Sequence, residues 1–228
     1  MVERDHRLLG IPRRLRRLQP DIICIAGYPW ILPPEVFAIP RLGAINLHTS
    51  LLPRHRGPMP MFWVYAHDDR ETGVTVHWVA EGADTGDIIL QERFPLPRGM
   101  NIVPLHESSA DRGAALLTAA LDAIEAGTAT RTPQNDVLAT SEPAVRPGVP
   151  IVDFVTWDVE RVWHVLSGLH PLFREPLRGP DGAPVRYDGV LGFERSSHGE
   201  RPGSVTRGPD HLALHCRGGM VRLGLGAP

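Results

Sequence analysis

Two short apolar runs most constrain the fold of this chain: residues 21–26 (DIICIA) and residues 44–48 (AINLH), each placed against a glycine and separated by a segment containing Pro33 and Pro34. The first run, rich in β-branched side chains and ending at Gly27, fits a strand buried on both faces. Pro33 and Pro34 ahead of Glu35, Val36 and Phe37 open a short helix, because proline is tolerated in a first helical turn. The second strand starts after Gly43 and runs to His48. Helical periodicity returns over residues 61–67, residues 74–79 alternate as a half-buried strand, and residues 88–94 suit its neighbour. A long helix is expected over residues 103–126, where Leu105, Ala114, Leu117, Leu121 and Ile124 make one apolar face and Gly127 stops it. Strands that alternate with helices predict an α/β sheet.

With 228 residues, the chain suffices for one main domain and a small second one. Residues 128–150 turn polar and proline-rich and read as a linker between a core over 1–127 and a C-terminal part over 151–228. That part begins with a helix near 159–169 and continues into short strands near Val205 and over 211–223, a small β-rich appendage. All 24 cationic side chains are arginine, which excludes Schiff-base chemistry and a Walker-type phosphate loop, both of which need lysine. A net charge of -2 argues against a general nucleic-acid or membrane-surface binder, and Arg13, Arg14, Arg16 and Arg17 read as a solvated helix end. Cys24 and Cys216 lack partners at metal-ligand spacing, so neither a disulfide framework nor a metal site is expected. Residues 1–20 carry no apolar signal region, and the apolar stretch 22–32 is broken by Gly27 and Pro29. A cytoplasmic protein with no membrane span is the expectation.

The chemistry concentrates in the middle of the chain. In a strand, side chains two apart point the same way, so Asn46 and His48 emerge on one face, toward the carboxyl end where open α/β sheets carry ligands. An amide beside an imidazole offers a neutral donor for a developing oxyanion and a group that exchanges protons near neutral pH. Asp84, in the loop between Gly82 and Gly86, can orient His48 and stabilise its protonated form. Taken singly, each of the three is more simply a turn former or a satisfied polar group.

The string INLHTSLLPRHRG, followed by ETGVTVHWV and then GADTGDIILQE, resembles the 10-formyltetrahydrofolate-dependent formyltransferase family. That family includes methionyl-tRNA, glycinamide-ribonucleotide and amino-sugar formyltransferases and formyltetrahydrofolate hydrolase. The likeness runs over about residues 20–96 and implies a Rossmann-like sheet with Asn46, His48 and Asp84 as the catalytic triad. It further implies that Tyr28, Pro29, Trp30, Ile31 and Leu32 line a pterin pocket, completed by the turn Ser50, Leu51, Leu52, Pro53 and by Ala80, Glu81 and Ala83. The implied co-substrate is 10-formyltetrahydrofolate, attacked at its formyl carbon by an acceptor amine without a covalent enzyme intermediate. Asn46 and protonated His48 would hold the oxyanion while Asp84 holds His48. His77 and Trp78 fall on opposite faces of their strand and are assigned to packing, and His55 and Arg56 read as exposed loop charges.

Family members usually carry a further half-sheet before the strand that corresponds to residues 21–26, whereas about 20 residues precede it here. The expectation is a core incomplete at its N-terminus, a parallel sheet with an uncovered edge, and a homo-oligomer or partner chain covering that edge. The C-terminal part is similar to the linker helix and OB-like barrel of the tRNA and amino-sugar enzymes. Its lack of a basic stripe with interleaved aromatics favours a small amine acceptor, such as a nucleotide-sugar, over methionyl-tRNA. Two other readings stay open: hydrolysis of the same donor, and a non-catalytic folate- or partner-binding remnant.

Overall fold

In a computed structural model of the chain, residues 10–196 and 199–226 are described. They fall into two compact units, the first built from Met1–Pro60, Thr72–Phe94 and Ser108–Pro143, the second from Met61–Glu71, Pro95–Glu107 and Ala144–Pro228. Part of the expectation for residues 1–20 lies outside the described residues. The helix α1 (Ile11–Leu18) carries the four arginines and buries none of its residues, as a solvated segment should. None of the helices among the described residues is long and apolar enough to cross a membrane.

The first unit holds a four-stranded sheet in the order β1 (Ile23–Ala26), β2 (Ala44–His48), β3 (Glu71–Trp78), β4 (Ile88–Pro95). The short helix α2 (Pro34–Phe37) links β1 to β2, and α3 (Pro60–Ala66) precedes β3. Only β1 and β2 are parallel; β2 pairs antiparallel with β3, with Asn46 opposite His77 and His48 opposite Thr75. Trp78 N–H bonds to Asp87 at one end of the β3–β4 pair and Leu96 N–H to Arg70 at the other, so this pair is antiparallel too. The sheet is therefore mixed rather than parallel. The connection from Trp78 to Ile88 is shorter than the dozen residues a parallel crossover requires.

Alternation along β2 and β3 sorts the side chains. Ile45, Val76 and Trp78 bury against Ile89 and Ala120, and Leu47, Leu116, Leu117 and Leu121 pack around them. This is where the helix α4 (Ile102–Glu125) lies, close enough that a Cβ on Gly113 would meet Leu47 at 2.7 Å. The opposite face is left to Asn46, His48, Thr75 and His77. The β1 run departs from its expected burial: Ile23 and Ile25 are half-buried, Cys24 and Ala26 exposed. Within the described sheet β1 is an edge strand, and the face that carries Cys24 and Ala26 is exposed.

Residues 132–142 run back along the first unit instead of bridging free of it. Thr132 exchanges two backbone hydrogen bonds with Ile88, Arg56 N–H bonds to Thr140, and Glu142 N–H bonds to Arg56. A 3-10 turn at Asp136–Leu138 is capped by the Asn135 side chain. The second unit contains α5 (Val159–Leu169), capped by Asp158, and an antiparallel sheet in the order β7 (Tyr187–Arg195), β10 (Gly219–Leu225), β9 (His211–Cys216), β8 (Val205–Arg207). A two-stranded ribbon, β5 (Leu177–Arg178) with β6 (Pro184–Val185), completes it. Val159, Val162, Val165, Leu166 and Leu169 give α5 the apolar face that faces this sheet.

Candidate active site

The β2–β3 register sets the site, because residues directly opposite in an antiparallel pair present their side chains on the same face. His48 is 6% exposed, and its Nε2 lies 2.8 Å from the His55 carbonyl. A carbonyl only accepts, so Nε2 carries the hydrogen and Nδ1 is the nitrogen that takes up or gives away a proton. That Nδ1 faces Asp84 Oδ2 at 3.6 Å. His55 itself adopts φ 59, a backbone turn that delivers its carbonyl to the imidazole.

The β3–β4 loop leaves β3 beside Ile45, at the amino end of β2, and folds back over the polar face to deliver Asp84. Asp84 Oδ2 accepts the Gly57 N–H at 2.8 Å, and Oδ1 accepts from Asn46 Nδ2 at 3.3 Å. His77, 2% exposed, donates Nδ1–H to its neighbour's carbonyl at Trp78, 2.7 Å away. Its Nε2 stands 3.2 Å from Asn46 Nδ2 and 3.4 Å from Asp84 Oδ1, so three polar atoms form a nearly equilateral triangle. With Nε2 bare, His77 accepts from Asn46; with Nε2 protonated, it donates to Asp84. Viewed from Nδ2 the two acceptors are close together, which leaves the second amide hydrogen of Asn46 free to aim elsewhere.

Burial disfavours the charged form of His48 and lowers its pKa, with the Asp84 carboxylate and the His55 carbonyl pulling partly the other way. Burial pushes the Asp84 carboxyl up, but the hydrogen bond with His77, the charge of His48 and the Gly57 N–H outweigh it and bring it down to about 2. The arrangement is a neutral, buried imidazole beside a carboxylate that stays ionised, with an amide alongside. Such a set has the chemistry to transfer protons and to stabilise a developing oxyanion.

The other sequence-predicted residues divide into two groups. Ser50 and Leu52 are buried, and the Ser50 hydroxyl donates inward to the Arg54 carbonyl at 2.8 Å. Leu52 is held by Thr75 and Gln91, and Leu51 packs against Gly73, so this turn shapes the site through its backbone. Tyr28, Pro29, Trp30, Ile31 and Leu32 form the irregular segment after β1, in which Tyr28 and Trp30 meet edge-on with ring centroids 5.4 Å apart. Ala80 is half-buried, while Glu81 and Ala83 are exposed on the loop that carries Asp84.

Three assignments change, the first being His55, which was expected to be an exposed loop charge and is 1% exposed, its carbonyl turned onto His48. His77 was expected to pack, yet the register puts it on Asn46 and Asp84; strand parity pairs it with Thr75 but does not say which face the pair takes. Arg56 was expected to be an exposed charge, yet it is buried and donates to Gln134 Oε1 through Nε at 3.0 Å and Nη2 at 2.8 Å. Gln134 in turn donates to the carbonyls of Asp84 and Gly86. Nothing in its local sequence marks Gln134, which sits in the stretch read as linker.

A family model described as formyl transferase matches residues 4–121, more than half of the chain. The chain belongs to the formyl transferase family. The methionyl-tRNA formyltransferase of Syntrophus aciditrophicus is 36% identical to this chain over 193 residues, 85% of this chain and 61% of that one. The chain spans 50% to 61% of the length of the first curated relatives that it matches. In fold, HypX of Aquifex aeolicus in complex with tetrahydrofolic acid superposes with a TM-score of 0.68 at 19% identity, over 93% of this chain and 36% of that one. An N-formyltransferase of Helicobacter canadensis, crystallised with folinic acid and dTDP-3-aminofucose, gives a TM-score of 0.65 at 16% identity, over 87% and 71%. At these identities the likeness is one of fold.

Proposed function

We propose that the chain transfers a formyl group from 10-formyltetrahydrofolate to a primary amine of a small metabolite or nucleotide-sugar. The observation that carries this reading is the meeting of Asn46, His48 and Asp84 around one small space, within a chain of this family. The neutral amine attacks the formyl carbon, forming the new C–N bond as the carbonyl electron pair moves onto oxygen. The free hydrogen of the Asn46 amide faces that oxyanion. His48 Nδ1 takes a proton from the attacking nitrogen, and Asp84 stabilises the imidazolium so formed. On collapse the bond from carbon to N10 of the folate breaks, and His48 returns the proton to N10. Atoms balance: the amine gives up one proton and N10 gains it. Tyr28, Pro29, Trp30, Ile31 and Leu32, with Ser50, Leu51, Leu52, Pro53, Ala80, Glu81 and Ala83, are proposed to surround the folate.

Methionyl-tRNA is the second acceptor, favoured by the 36% identity to a methionyl-tRNA formyltransferase. The test offers 10-formyltetrahydrofolate with dTDP-3-aminofucose or with methionyl-tRNA and looks for the formylated product by mass. His48→Ala should lower turnover by about 10²-fold to 10⁴-fold. Release of tetrahydrofolate with neither amine present would replace this reading by hydrolysis, and folate binding without turnover would replace it by a binding role.

A further inference from the structure

We propose that Gln134 is a positioning residue, which holds Asp84 in register with His48 by clamping the backbone of the loop that carries it. The inference rests on the reading of Asp84 as the partner of His48.

Asp84 sits at φ 52, in the left-handed region that a side chain with a Cβ rarely enters, and such a conformation persists where its surroundings over-determine it. The carboxylate is held by Gly57 and Asn46, and the loop backbone by one amide group. Gln134 Nε2 has two hydrogens and two carbonyls to receive them, Asp84 O at 2.8 Å and Gly86 O at 2.7 Å, one on each side of Thr85. Its Oε1 accepts the fork of the buried Arg56 guanidinium. This fork fixes the orientation of the amide: turned over, it would face an oxygen toward two carbonyls and an NH2 group toward a cation. The residue after Arg56 is Gly57, whose N–H holds Asp84 Oδ2 at 2.8 Å. Residues 56 and 57 thus secure Asp84 twice, through its carboxylate directly and through its backbone by way of Gln134. At φ 104, with a would-be Cβ only 2.8 Å from the Glu142 carbonyl, Gly57 admits no larger residue.

Only an amide satisfies both sets of partners. A glutamate of the same shape keeps Arg56 but turns carboxylate oxygens on two carbonyls, so Gln134→Glu isolates the clamp from the packing. Gln134→Met removes both donors without adding charge and serves as the second variant. The primary readout is the NMR titration of the His48 Cε1–H resonance in the full chain, identified by its loss in His48→Ala. The other ionisable groups near His48 are His55 and His77, unchanged in both variants. In folded Gln134→Met, which adds no charge, the His48 midpoint should fall toward that of Asp84→Asn, because the carboxylate that favours the imidazolium has moved away. With dTDP-3-aminofucose and methionyl-tRNA as probe acceptors, kcat should drop about tenfold to a hundredfold, with KM for 10-formyltetrahydrofolate within about twofold. A parental His48 midpoint in folded Gln134→Met overturns the proposal, as does failure of both variants to fold, which would leave Gln134 a purely structural role. If the parent formylates neither acceptor, the proposed function fails while the titration still decides the role of Gln134.

Discussion

The two ring nitrogens of His48 have different partners, and the difference fixes its acid–base behaviour. Nε2–H is committed to the His55 carbonyl, so the proposed transfer uses Nδ1 and needs it unprotonated at the start. Burial lowers the His48 pKa from its ordinary 6.5, so the acid limb of kcat/KM should lie below that value. Asp84→Asn removes the negative charge that opposes this lowering. The limb should then move further to acid while kcat falls about tenfold to a hundredfold. A pH–rate profile that keeps its parental midpoint in this variant contradicts the coupling of the two residues. Asp84 also acts on stability: depressed to about 2 from 3.8, its contribution is complete above about pH 4 and is lost as the pH falls toward 2. Asn46 and His48 were legible in the sequence because strand parity puts them on one face, and Asp84 because of its glycine-bounded loop. His77 was not, since parity groups residues without naming the face.

At the level of elements, the loop after β3 depends on one close approach. A Cβ at Gly86 would lie 1.7 Å from the Trp78 carbonyl, so the loop can turn back over the sheet only with glycine there. Gly86→Ala should cost about 1–3 kcal/mol in urea unfolding and lower turnover with it, because Asp84 rides on the displaced loop. Parental stability and rate in this variant would mean that the loop tolerates a different path. Helix α4 was readable because 24 residues repeat one apolar face, and β2 because Gly43 precedes a short run that ends at His48. β1 was misread: its run of apolar side chains specifies a strand but not how many neighbours that strand acquires, and Cys24 and Ala26 stay exposed. The stretch 132–142 was misread for the converse reason. Its polar side chains and Pro133 suit a linker equally well, and it is hydrogen bonds to Ile88, Arg56 and the Asp84 loop that tie it to the first unit.

Across the whole molecule, each unit has its own buried polar centre. In the second unit Glu175, 2% exposed, accepts the Ile151 N–H on both oxygens, and its own N–H donates to the Tyr187 hydroxyl. Burial pushes this carboxyl up to about 7 against the opposing pull of the Ile151 and Val152 N–H groups. Since its folded pKa lies above its ordinary 4.5, its contribution is fully present below about pH 4.5 and lost as the pH rises through about 7. Glu175→Gln should therefore be more stable than the parent at pH 8 by about 1–3 kcal/mol, with the difference shrinking toward pH 5. Equal melting temperatures at both pH values would show that Glu175 titrates as an ordinary carboxylate. The sequence by itself determined the strands and helices of the first unit, the candidate trio and the family likeness, because periodicity and motif order act over a few residues at a time. Tertiary structure alone decided that His77 joins Asn46, that Arg56 is buried, and that Gln134 reaches Asp84 across 50 residues of chain. Strand register and the hydrogen bonds of an irregular segment are settled when distant pieces of backbone close on one another, and local spacing does not encode that closure.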